Sequence, residues 1–363
     1  MESVKNTGAD GDVTAPVMTR GFFTSDDGAD LYTYLDSLFV GPLGRAIGAA
    51  SIRIEAIETC LVNIVNGTDA TLWVNPAVKL AIIPKTSVQA GTVAYLDDVA
   101  DVRSVEFPGV EMPSKGAVIY TFQHRWRRGL YFDFPMYGPH GSEANRPLKD
   151  LGALFGSYHA ALMLRERIRM EPDVLEKMFA AGWFPFVRLP QDLAVSIYRH
   201  FEQGWDHASV EDEIVRTLRS SITQFATRWS SRPQFAPHMT TLNEAVRHYE
   251  NGEYMATSAL LLPKVEGILR ALNLDPTRTT ARDLRENVAR RVRASVTGVT
   301  AYLPEAFVRY LEVFHFASFD PNASVAPASR HAFLHGVGPD AEMAKPSYPL
   351  RLLLTIDQLF FYA

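Results

Sequence analysis

Residues 148–170 read LKDLGALFGSYHAALMLRERIRM. Leu148, Leu151, Phe155, Tyr158 and Leu162 follow one another at three- or four-residue steps, the period of a helix with one buried face. The period predicts a helix across the whole stretch, starting just after Pro147. Before it the chain has another style. From about residue 50 to 135, SIRIEAIETCLVNIVNG, ATLWVNPAVKLAIIP, GTVAYLDDV, VRSVEFPGV and GAVIYTFQHRWRRGLYFDFPM are short segments bounded by Gly, Pro or Asn. They are rich in β-branched and aromatic residues and predict a small antiparallel β domain, with Asn66-Gly67 as a hairpin turn. After residue 148 the helical period persists. DVLEKMFAAG closes at Gly182, and PQDLAVSIYRHFEQG runs between Pro190 and Gly204, with Pro early and Gly just past the end as helices favour.

The expected fold is therefore α+β: a β-rich N-terminal domain followed by a large all-α region that ends in a helical bundle. The expected boundaries are a tail and lead-in segment at 1–47, the β-rich domain at 48–146, a helical linking region at 147–240 and the terminal bundle at 241–363. Residues 1 to about 20 are polar and are expected to be disordered.

Bulk composition narrows the function. The 363 residues carry a formal net charge of −5, so any nucleic-acid contact has to be local. Eight of the 36 basic residues are Lys and the other 28 are Arg, whose planar fork suits phosphate. Cys60 is the only cysteine, which excludes an internal disulfide and a cysteine-cluster metal site and suits a reducing compartment. MESVKNTGADGD lacks the apolar core of a signal peptide. The tail YPLRLLLTIDQLFFYA is too short to span a bilayer and is interrupted by Arg351 and Asp357. The chain reads as cytoplasmic, with no membrane partner. A P-loop, a G-x-G-x-x-G turn after a strand and a G-x-S-x-G elbow are all missing from the sequence.

The chemistry concentrates in SRHAFLHG, residues 329–336. Arg330 and His335 are separated by four residues, on what should be a short helix between Pro327 and Gly336. Arg clamps phosphate oxygens in a bidentate way, and His moves a proton near neutral pH. An anion clamp beside a general base is what cleavage of RNA by its own 2′-OH needs, without a metal or other cofactor. At ~100° per residue the two side chains lie about 140° apart on the helix, so they converge through the length of Arg or across a facing subunit. His331 and His335, one helical turn apart, also form a candidate Zn²⁺ pair that needs a third ligand such as Asp340 or His315.

SRHAFLHG followed by an apolar helix resembles the end of HEPN-superfamily domains, small helical bundles with an R-x(4–6)-H motif. The residue after their Arg is usually Asn, Asp or His, and here it is His331. Upstream, GEYMATSALLLPKVEGILRAL is similar to the helix that carries a Glu-Gly in the bundle core of many bacterial members. The resemblance covers roughly residues 240–363. It implies a metal-independent endoribonuclease that acts on RNA as a homodimer, with Arg330 and His335 catalytic and His331 in the polar place beside them. Glu266 becomes a supporting residue, and Arg330 is a candidate partner for its carboxylate; a simple solvent-facing Glu266 is the other reading. By analogy it implies a toxin or phage-defence effector. Some members have a Tyr two residues after the His; here Val337 stands there. The alternative is a catalytically inactive HEPN-like module that dimerises and binds RNA or protein.

Two further stretches are basic. In RDLRENVARRVR, residues 282–293, Arg282, Arg285 and Arg293 fall near one helical face and could flank an RNA groove. HRWRRGLYFDF, residues 124–134, mixes cations with aromatics, a patch that can bind RNA through phosphate contacts and base stacking or serve as a partner surface. Read as one strand, its alternation divides the cations between two faces, as in an ordinary edge hairpin. The β-rich domain is also the expected seat of a regulatory partner.

Overall fold

The computed structural model describes residues 2–6, 13–17, 20–40, 56–65, 69–134, 148–273, 275, 277–318, 329–336 and 340–363. The fold is α+β, with a strand-rich N-terminal part followed by a mostly helical part. It forms two compact units, Met1–Ile82 with Val102–Met163 and Ile83–Asp101 with Leu164–Ala363. The opening stretch is cut between them. Helix α2 (Leu148–Met163) ends at Leu164, whose φ of −110° leaves the helical region, and α3 (Arg165–Ile168) is a separate turn. The boundary thus falls at 163/164 rather than at 147, because Leu151, Phe155 and Leu162 of α2 share a core with strand residues.

In the first unit β1 (Glu2–Asn6) pairs antiparallel with β2 (Val13–Val17), so the tail expected to be disordered contains a strand pair. The main sheet has the antiparallel order β3-β9-β8-β4-β5, with β3 Arg20–Thr24, β4 Thr59–Val65, β5 Asp69–Val74, β8 Ala117–His124 and β9 Arg127–Asp133. Both faces are covered. Val118, Tyr120 and Phe122 point to the α2 side, while Ile119 points to the other side with Leu31 of α1 (Ala29–Tyr34) and Leu35 after it. That explains why β8 is a continuous apolar run rather than an alternating one. The helix comes very close at Gly156, where a Cβ would sit 2.7 Å from the Ser104 Cα. The Asn66-Gly67 turn lies outside the described residues, as do Pro147, Pro327 and Val337.

Two strands, β6 (Lys79–Pro84) and β7 (Val99–Glu106), form a separate pair. The strand expected in GTVAYLDDV is not formed before Val99. The Asp98 carboxylate accepts the Tyr95 N–H at 2.8 Å and closes a 3-10 turn over Leu96–Asp98 instead.

The second unit contains α4 (Pro172–Ala180), α5 (Gln191–Gln203), α6 (Ala208–Arg219), α7 (Ile222–Trp229), α8 (Met239–Glu250), α9 (Tyr254–Leu272), α10 (Ala281–Ser295), α11 (Pro304–Tyr310), α12 (Arg330–Leu334), α13 (Asp340–Met343) and α14 (Ser347–Tyr362). Most of their buried apolar residues belong to one hydrophobic cluster. Helix α14 is its axis: every residue from Ser347 to Phe360 is buried, as a helix apolar on all sides requires. The charges that interrupt it are paired. Asp357 accepts from Arg188 at 2.9 and 3.2 Å and from the Trp229 indole N–H at 3.0 Å. Arg351 donates to Glu342 at 2.8 Å. No helix among the described residues is long and apolar enough to cross a membrane.

Candidate functional site

Helix α12 is a turn and a half long. The Ser329 hydroxyl caps it by accepting the Ala332 N–H, Arg330 opens it, and His335 closes it as the C-cap before Gly336, which takes a φ of +70°. Arg330 and His335 are therefore about 7.5 Å apart along the axis, at 1.5 Å per residue. His331 and His335 are exposed, whereas the Arg330 side chain is only 22% exposed.

Arg330 turns toward α9. Its Nη2 lies 2.8 Å from Glu266 Oε2, and the other Glu266 oxygen accepts from Arg270 Nε at 2.9 Å and Nη2 at 2.6 Å. The Glu266 carboxylate is 13% exposed and bridges two guanidinium groups, so it is not a solvent-facing Glu. A half-buried carboxylate in an apolar run needs such partners. The next residue, Gly267, leaves room for a ring, since a Cβ there would be 3.0 Å from His238. Arg330 Nε is buried and has no partner among the described residues.

A third group stands near this pair. His315, which ends the widened helical turn Leu311–His315 after α11, is 1% exposed, and neither ring nitrogen has a partner among the described residues. Burial pushes its pKa down to about 3, and the nearby charges of Arg330 and His331 push the same way. His315 is thus a neutral imidazole beside the Arg330 clamp. In the sequence His315 stands out only as a lone His in the apolar run LEVFHFAS and as one candidate third ligand for the His331/His335 pair.

Among the described residues no three His, Cys, Asp or Glu side chains group to hold a metal ion, so the His331/His335 pair gains no third ligand there. The three arginines of α10 that the sequence singles out each have an acid close by. Arg282 pairs with Glu286 at 2.8 Å, Arg293 pairs with Glu305, and Arg285 lies 3.9 Å from Glu312 with its guanidinium over the Phe316 ring. Arg285 is also largely buried, its side chain 11% exposed, so the three do not present one free basic face.

Chemically the cluster is a guanidinium steadied by a carboxylate, with two solvent-exposed imidazoles on the same short helix and a buried imidazole, His315, within reach of the Arg330 charge. Comparison with protein-family models, curated proteins and solved structures finds no significant match to this chain.

Proposed function

We propose that this chain is a metal-independent endoribonuclease of HEPN type, acting as a homodimer in which two copies of the Arg330/His335 motif face one cleft. The observation that carries the reading is the Arg330–Glu266 pair: it holds the guanidinium in place while His335, on the same short helix, stays open to solvent. Arg330 holds the scissile phosphate and stabilises the charge that builds on it. His335 takes the 2′-OH proton as that oxygen attacks phosphorus, and the P–O5′ bond breaks with the leaving 5′-oxygen taking a proton from solvent water. His331 lies beside them as a further polar contact, and Glu266 orients the clamp. The products are a 2′,3′-cyclic phosphate and a 5′-OH. A toxin or phage-defence role extends the same reading to the cell, with the β-rich part as the seat of a regulatory partner.

One observation favours a second reading. Glu266 already occupies an Arg330 nitrogen, as it would in a catalytically inactive module that uses the bundle to dimerise and bind RNA or protein. Incubation of a mixed RNA pool in EDTA separates the two. The nuclease reading expects the wild type to cut and both His335→Ala and Arg330→Ala to fail, with cyclic-phosphate ends on the products. Absence of cleavage by the wild type moves the module ahead. Equal cleavage by all three proteins overturns the nuclease reading.

A further inference from the structure

The first unit carries a basic, aromatic feature that the cleavage chemistry leaves unused. Strands β8 and β9 pair from Val118↔Asp133 to His124↔Arg127, so the chain reverses at Arg125 and Trp126. Residues 124–134 are therefore not one alternating strand, and the division of cations between two faces does not apply at the tip. Three arginines and a tryptophan fall within four consecutive positions at the end of the hairpin.

One tip residue is strained and the other is left exposed. Arg125 has a φ of +56°, a left-handed conformation that glycine adopts freely and a residue with a Cβ adopts at a cost. Two-residue hairpin turns usually place Gly, Asn or Asp where φ is positive. Trp126 is 68% exposed, among the highest values for a large apolar side chain among the described residues. Where local choices oppose folding in this way, strain and exposure commonly mark a contact surface.

The geometry also says what the surface fits. The Arg127 guanidinium lies over the Trp126 ring, 4.8 Å from its centre, which covers one ring face and orients the indole. Arg128 is committed to the sheet, donating to the Ile57 carbonyl at 3.1 Å. Arg125 is exposed, and its guanidinium has no hydrogen-bond or ion-pair partner among the described residues. A flat ring with one face open beside a free guanidinium matches an unstacked base and its phosphate. A duplex keeps its base faces covered and offers nothing to the indole. In a chain of net charge −5, this is a local positive site of the kind a polyanion can use.

We propose that the β8–β9 tip is a contact site for single-stranded nucleic acid, with Trp126 stacking on a base and Arg125 meeting the backbone phosphate. The contact is independent of cleavage at Arg330 and His335.

The test is fluorescence anisotropy of the full-length protein with a labelled short oligo(dT), which has no 2′-OH and cannot be cut by the proposed reaction. The expected result is that the wild type binds and that Trp126→Ala weakens binding by about 5- to 100-fold, the range of one lost stacking contact. Trp126→Phe should keep much of the affinity. Arg125→Gly is the decisive variant. It should raise the melting temperature by relieving the backbone while lowering affinity and the salt dependence of binding by about one phosphate contact. Absence of oligo(dT) binding, or variants that bind as the wild type does, would overturn the proposal. So would loss, in Trp126→Ala, of self-association or of anionic-vesicle binding with oligo(dT) binding intact, since either would assign the tip to another partner.

Discussion

Glu266 is the residue on which the proposed site turns. Its two oxygens serve different arginines, Arg270 from its own helix and Arg330 from α12. The first pair is an ordinary one-turn helical ion pair and contributes little. The second joins two elements 64 positions apart in sequence and is far less exposed. Removing the carboxylate leaves Arg330 with a buried Nε already unpartnered and no acceptor for Nη2. We expect Glu266→Ala to cost about 1–3 kcal/mol in urea unfolding, the penalty for stranding a part-buried polar group. The Glu266→Ala/Arg330→Ala double variant should lose less than the sum of the singles, because the second change removes the stranded group. Strict additivity would mean that the two side chains are uncoupled and that Glu266 does not orient the clamp.

At the level of elements, helix α14 shows how polar groups position an apolar rod. Its leucines fill the core without fixing its rotation; Asp357 does that by accepting from Arg188 and Trp229. Asp357→Ala strands a buried guanidinium, and a loss of about 3–5 kcal/mol is expected in equilibrium unfolding. Retention of wild-type stability would show that the aliphatic packing alone sets this helix. The partners are 169 residues apart, so this network could not be read from the sequence. The class of fold could, because the change from short β-branched segments to a 3.6-residue period is local. The meeting of Arg330 with Glu266 was legible only as one of two readings: a carboxylate in an apolar helical run needs a cation, but Glu266 could as well have faced solvent, and Arg270 one turn on is the nearer cation. Three things were hidden. The break at Leu164 involves neither Gly nor Pro, and periodicity does not say which core a helical face will join. The strand expected before Val99 lost to a turn closed by a side chain, Asp98. The acids opposite Arg282, Arg285 and Arg293 include two from the next helical segment, which helical spacing cannot report.

At the scale of the whole molecule, three buried bases, His159, His315 and Lys85, share one direction of shift, and that shapes how stability responds to pH. His159 sits on the Phe122 ring and shares a 2.7 Å hydrogen bond with the Tyr120 hydroxyl; burial takes its pKa down to about 3, as it does for His315. Lys85 is buried in the second unit and is drawn down to about 7, by burial first and then by Arg167 and Arg188, against the weaker pull of Asp97 and Asp98. In each case the unfolded chain binds a proton that the folded chain refuses, so stability rises with pH. The window runs from about 3 to the ordinary imidazole value of 6.5 for the two histidines, and from about 7 to 10.5 for Lys85. Above the ordinary thiol value of 9.0 Cys60 opposes this, because burial pushes it up to about 12 and the unfolded chain loses its proton first. The urea midpoint should therefore climb from pH 4 to about pH 9 and level off above it, where Cys60 offsets Lys85. Lys85→Met isolates the upper limb. The Leu189 carbonyl keeps a donor in Arg167 at 3.2 Å, so the change removes a buried charge without stranding its acceptor. The variant should be more stable than the wild type at pH 6, and the difference should shrink steadily as the pH rises from 7 through 9. A constant difference between them across that range would mean that Lys85 titrates near its ordinary value in the folded protein, and the upper limb would then need another group.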